Sequence, residues 1–196
     1  MTVNHWEPEP LEEPTPGPSP TASVSHLKLF FALSFSFIAI DQLVKFWVRS
    51  AAHGVENHTI LALWPGVFEV KLVFNEGIAF GMFQGSGILL WPIAIGIASA
   101  ATLYSVRHPA DRPIVHAAMA LLAAGSIGNL IDRIMAGRVT DMFFIRAINF
   151  PVFNVADACI TFAAVLLGYF WLQDAVGGRR KSVPPADIET GTADEQ

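Results

Sequence analysis

Four apolar runs divide this chain, and each is nearly as long as a bilayer is thick. They cover about residues 27–48, 88–107, 114–134 and 154–173. A helix needs ~20 largely apolar residues to span ~30 Å of hydrocarbon. The composition agrees: 53% of the residues are hydrophobic and 15% charged, against about 45–50% and about 25% in soluble domains. Pro92 falls near the start of the second run, where a helix tolerates it. The first run does not read as a cleaved leader, because its upstream segment is long and acidic and no small-residue cleavage site follows it. The expected architecture is an α-helical membrane protein of four transmembrane helices with both termini on one side.

The stretches outside these runs differ in kind. Residues 1–25 and 176–196 are acidic or proline-rich and poor in apolar residues, which reads as two disordered tails around a membrane domain at 26–175. Between the first two helices, about residues 58–83, the turn signal Trp64-Pro65-Gly66 separates two β-prone runs, and Glu69 and Lys71 alternate with apolar neighbours. That is the strand period, so a small antiparallel sheet is expected there. "MFFIRAINFPVF", before the fourth helix, interleaves aromatics with Arg146 and Asn149 and reads as a segment lying at the bilayer surface. Basic residues fall on both sides. The cluster Arg179, Arg180 and Lys181, directly beyond a helix end, assigns the termini to the cytoplasm and the sheet to the outer face.

Polar residues inside apolar runs are the informative ones, since an aspartate at a helix centre costs about 2.5–3.5 kcal/mol on insertion. Here they are Asp41, Asp132, Asp141 and Asp157, with Asn75, Asn129, Arg133 and Asn154. Each also has an ordinary reading. Asp41 and Lys45, at i and i+4, make a local salt bridge. Asn129 and Arg133 share a helix face, from which Arg133 snorkels to the interface, and Asp132 stands one residue off that face. Gly125 and Gly128 admit a close neighbour. Asn154 and Asp157 have the spacing of an N-cap and its third helical position, which resembles a capping box, and a carboxylate there suits the helix dipole. Asp141, in "GRVTDMFF", is a loop acid. Yet four spans bring that loop and the start of the fourth helix to one membrane face, where Asp141 and Asp157 can meet. Two close carboxylates in a partly dry site share a proton, giving one base to activate water and one acid for a leaving amine.

Other chemistries find little support. The net charge of −5 and scattered basic residues give no nucleic-acid footprint. A single cysteine, Cys159, excludes an internal disulfide and reads as a small buried hydrophobe. The six histidines show no metal-ligand spacing, so neither metal nor cofactor is expected. Ser86, in "QGSGI", has no evident base partner.

The blocks "DQLVKFW" (Asp41–Trp47), "NEGIAFGMF" (Asn75–Phe83), "GNLIDRIMAGRVTDMF" (Gly128–Phe143) and "FNVADACI" (Phe153–Ile160) resemble the lipoprotein signal peptidases, signal peptidase II, in that family's order over about residues 26–174. The resemblance implies a bacterial aspartic endopeptidase of the cytoplasmic membrane. It would cleave prolipoproteins just before a diacylglyceryl-modified cysteine, with Asp141 and Asp157 as the catalytic pair. It further implies that Asn129 and Asn154 line the site, Arg133 helps hold substrate, Asn75 sits in a substrate-facing sheet, and Asp41 and Lys45 form a pair near the site. Implied partners are lipid-modified prolipoproteins, membrane lipids and the inhibitor globomycin. Two departures stand out. Gly77-Ile78-Ala79-Phe80 replaces the common Gly-Ala-Ala-Phe, and Met142 precedes Phe143 where a phenylalanine commonly follows the aspartate. Both exchange apolar for apolar and bear on lipid or substrate contacts. The alternatives from other classes are a small proton-coupled transporter using its acids as a relay and a non-enzymatic membrane scaffold.

Overall fold

A computed structural model describes residues 20–77 and 90–181. The far end of the expected β region (78–83), Ser86, the expected start of the second helix and most of both tails lie outside the described residues. In chain order the elements are α1 (Pro20–Ala51), β1 (Thr59–Trp64), β2 (Phe68–Asn75), α2 (Leu90–Arg107), α3 (Pro113–Ala136), β3 (Val139–Ile145), a 3-10 turn (Arg146–Ile148) and α4 (Val155–Lys181).

Helix α3 is the axis, packed against α1, α2 and α4. Its buried positions carry Ala118, Ala120, Ala123, Ala124, Gly125 and Gly128, small residues that let backbones approach. An alanine at Gly125 would strike the main-chain carbonyl of Ala156 and Ile160 Cγ1, and one at Gly128 would lie 2.6 Å from Asp41 Oδ2. The expected close approach at both glycines is therefore real: α4 fills one and α1 the other. Pro113 opens α3 at a position that needs no amide donor. Gly137 closes it in the left-handed region (φ 73°), its N–H bonded to Arg133 O.

Large apolar side chains such as Phe35, Leu43, Phe46, Phe162 and Val165 point outward and are exposed, as helices bathed in lipid require. Among the described residues, three helices are long and apolar enough to cross a membrane: His26–Ala51, Pro113–Ala136 and Val155–Gln173. As described, α2 is shorter, at 18 residues. Two helices outrun their apolar runs. Residues Pro20–Ser25, expected in the N-terminal tail, already belong to α1, and α4 continues through the cluster ending at Lys181. Hydropathy marks only the stretch that meets lipid, and basic residues at a helix C-terminus suit its dipole.

The sheet has three strands in the order β1-β2-β3, antiparallel throughout. The first hairpin turns at Trp64–Val67, with Gly66 at φ 77°. The third strand corrects the expected loop around Asp141 and takes up the first residues of the expected surface segment: Val139–Ile145 pairs with β2, setting Asp141 opposite Val73, while residues 146–150 of that segment stay exposed. The alternation of β3 is hidden because Val139, Thr140, Asp141 and Met142 are all buried, one face against α1 and the other in the site. Met142 joins Val48, Ala52, Val70 and Leu72 in the core that seats the sheet on the end of α1. This departure from the common pattern therefore alters packing under the sheet rather than a lipid or substrate contact.

Candidate active site

The site gathers where α1 ends, α3 ends, β3 runs and α4 begins. Its lowest layer is a capping box. Asn154 Oδ1 accepts the N–H of Asp157 at 2.9 Å, and Asp157 Oδ2 accepts the N–H of Asn154 at 3.1 Å. Each side chain satisfies one of the amides that a helix start leaves unpaired, so the capping reading holds. It fixes Asp157 on the first turn of α4, half-buried.

Asn154 reaches further. Its Nδ2 donates to Asp141 Oδ1 at 2.6 Å and to Asn129 Oδ1 at 3.0 Å. One residue thus holds both carboxylates, Asp157 through its main chain and Asp141 through its amide. Asn129 completes the ring by donating Nδ2 to Asp157 Oδ1 at 2.8 Å. From the other side, Asn75 Nδ2 donates to Asp141 Oδ2 at 3.0 Å. Asn75 lies two residues beyond Val73, the cross-strand partner of Asp141, and so shares its face of the sheet. Asp141 is 2% exposed. Burial first, and the neighbouring Asp157 charge second, push its carboxyl up to about 7, against the pull of the two asparagine donors.

Arg133 does not touch either carboxylate. It donates Nη2 to Gly77 O at 3.1 Å and Nη1 to Asn129 O at 3.4 Å, tying α3 to the chain just past β2. Its Nε has no partner among the described residues. Asp41 and Lys45 stand behind the ring, 1% and 0% exposed. Lys45 Nζ lies 2.8 Å from Asp41 and donates to Asn129 Oδ1 at 3.0 Å.

Two more residues belong here: Asp132, which stands out in the sequence as an intramembrane acid without a role, and Arg49, which does not stand out. Asp132 lies 3.3 Å from Lys45 and accepts the N–H of Thr140 at 2.9 Å. Arg49 lies 3.6 Å from Asp132 and donates to Thr140 Oγ1 at 2.9 Å. The spacing Asp41, Lys45, Arg49 is a run of i, i+4 steps that carries this stripe, and Asp132 is three residues, one turn, after Asn129.

The family model for signal peptidase (SPase) II matches residues 33–173. The chain belongs to this family. Relatives agree. It is 37% identical over 142 residues to a lipoprotein signal peptidase of Symbiobacterium thermophilum, covering 71% of this chain and 91% of that protein. It is 36% identical over 152 residues to one of a Synechocystis species, covering 76% and 92%. A solved bacterial membrane enzyme, determined by the in meso method, superposes with a TM-score of 0.70 at 25% identity, covering 79% of this chain and 94% of that one. Membership of signal peptidase II makes the protein an integral membrane protease, and the transporter and scaffold readings are set aside. Asp41, Asp132, Asp141 and Asp157 all fall inside the matched span.

Proposed function

We propose that this protein removes signal peptides from lipoproteins, using Asp141 and Asp157 as an aspartic-protease pair in the membrane. The observation that carries this reading is the double grip of Asn154 on both carboxylates. The two acids also differ in environment. Asp141 is buried and holds its proton up to about neutrality, whereas Asp157 is half-buried and sits at the positive end of α4. Asp157 is therefore the starting base and Asp141 the acid. Asp157 takes a proton from water as the water oxygen bonds to the scissile carbonyl carbon. Asp141 gives its proton to the leaving nitrogen as the C–N bond breaks, and one proton exchange resets the pair.

Lipoprotein precursors are the substrates, as the names of the relatives suggest, and cleavage falls before a diacylglyceryl-modified cysteine whose acyl chains lie in lipid. Globomycin competes for the same site. Arg133, anchored beside Gly77, holds substrate from the α3 side, and Asn75 does so from the sheet. The membrane is the bacterial cytoplasmic one. In this arrangement α2 is the fourth span, the termini are cytoplasmic and the sheet with the site faces outward, away from Arg107, Arg112 and the cluster at the end of α4.

The test is cleavage of a lipidated precursor, against its unlipidated form, by purified protein. Asp141→Asn and Asp157→Asn should each fold and lose at least ~10³-fold in rate, and activity should persist in a strong chelator. Full activity of either variant would sink the assignment.

A further inference from the structure

Behind the ring of asparagines lies a cluster of four charges that the proposed reaction does not use. Lys45 Nζ sits between Asp41 Oδ2 at 2.8 Å and Asp132 Oδ2 at 3.3 Å, and Arg49 Nη1 lies 3.6 Å from Asp132 Oδ1. Asp41, Lys45 and Asp132 are 1%, 0% and 4% exposed. Buried ion pairs seldom add net stability, because desolvation consumes most of the attraction. What distinguishes this one is the position of the main-chain groups it holds. Asp41 Oδ1 accepts the N–H of Ala156 at 2.9 Å, and Ala156 immediately precedes Asp157. Asp132 Oδ2 accepts the N–H of Thr140 at 2.9 Å, and Thr140 immediately precedes Asp141.

We infer that Asp41 and Asp132 are positioning residues, each gripping the backbone one residue before one of the reacting carboxylates, and that Lys45 joins the two grips and so sets the spacing of the pair. The inference rests on the reading of Asp141 and Asp157 as that pair. Four further contacts fit it. Arg49 donates to Thr140 Oγ1 at 2.9 Å, so Thr140 is held by its side chain as well as its main chain. Lys45 also donates to Asn129 Oδ1 at 3.0 Å, which turns the Asn129 amide so that Nδ2 faces Asp157. Gln42 Nε2 donates both to Asp41 Oδ2 and to Gly128 O, each at 3.1 Å, keeping the carboxylate against a residue with no side chain to displace it. The elements that carry the two acids, β3 and α4, are thereby referred to one point on α1.

The experiment measures kcat and KM for lipidated precursor, per folded molecule, across pH, for Lys45→Met, Asp132→Asn, Arg49→Met and the double variant Asp41→Asn/Asp132→Asn. Folded protein is counted by monodispersity and thermal unfolding in detergent. Lys45→Met should lower kcat on the order of 10–100-fold, the scale of an ångström-level misplacement, with KM changed by less than about threefold. The double variant should lose no more than Lys45→Met, because the two grips share one lysine. Lys45 lies among the groups that favour ionised Asp141, so its removal should also move the alkaline limb of the rate profile upward. A merely structural role would reduce the folded fraction and leave the kcat of folded molecules unchanged. If Lys45→Met does not fold, the isosteric Asp132→Asn and the half-exposed Arg49→Met carry the same test, with a smaller kcat loss expected. Unchanged kcat in the folded variants, with Asp141→Asn inactive, overturns the inference alone. Full activity of Asp141→Asn overturns the reading it rests on.

Discussion

At its C-terminal end α3 buries Asn129 among one acceptor and two donors, while near its start it buries His116, 0% exposed, whose ring nitrogens meet no partner among the described residues. Across from His116 stand His26, with ring centroids 5.5 Å apart. The same helix thus treats polar groups in two ways. A buried network in which every group is bonded specifies one geometry and loses heavily when one member goes. A buried group left unbonded costs about 1–3 kcal/mol and specifies little. The contrast sets a bonded polar network at one end of α3 against plain packing at the other, and it can be broken at several points.

The sharpest is the asparagine substitution of Asp141 or Asp157, where a loss of at least ~10³-fold is expected. Next come the glycines that admit the network. Gly125→Ala should destabilise by about 1–3 kcal/mol, since its neighbour is the main chain of Ala156 and cannot step aside. Gly128→Ala should instead push Asp41 off the Ala156 amide and lower kcat with less effect on unfolding. Gly96→Ala on α2, which meets nothing within 4 Å, serves as the control and should stabilise by about 0.5–1 kcal/mol. Thermal unfolding and cleavage measured on the three variants would separate these outcomes. Equal effects at Gly96 and Gly125 would contradict the close packing of α3 on α4.

The sequence displayed these two ends unequally. Apolar length was enough to find the helices, and the Asn154 to Asp157 spacing was enough to find the cap, because both are local patterns. The family blocks then pointed to Asp141 and Asp157. The third strand was invisible because both its faces are buried, which erases the alternation that reveals strands. Asp132 stood out as an intramembrane acid but without a role, because its importance lies in Lys45 and Thr140, partners 87 and 8 residues away that only the folded chain brings together. His116 looked no different from any other histidine in the chain, since burial without a partner has no signature in sequence.

A smaller effect concerns protons. Asp141 has its carboxyl raised from 3.8 to about 7. The folded state therefore holds this proton where the unfolded state has released it, and the group's contribution to stability should fall as pH rises from about 4 to about 7, then level off. Unfolding followed across that window should show a slope that Asp141→Asn lacks. For cleavage the same ionisation removes the acid, so kcat/KM should fall on the alkaline side of about 7. Asn75 donates to Asp141 and favours its ionised form. Asn75→Ala should therefore shift that limb to higher pH. A shift to lower pH would contradict the contact.

The smallest effect is expected at the opposite end. His116→Leu replaces a buried ring without partners by an apolar side chain, so stability should hold or rise by about 1 kcal/mol, and cleavage should stay within about twofold of the parent because no bond runs from His116 to the asparagine ring. The volume change is modest, and Ala120, one turn further along α3, belongs to an apolar core with Phe30, Ala101 and Ala123. Measured together, unchanged cleavage and equal or higher unfolding temperature would support the division of α3. A loss of cleavage beyond about tenfold in folded protein would show instead that the buried histidine communicates along α3 with the site, and the contrast between the two ends would have to be redrawn.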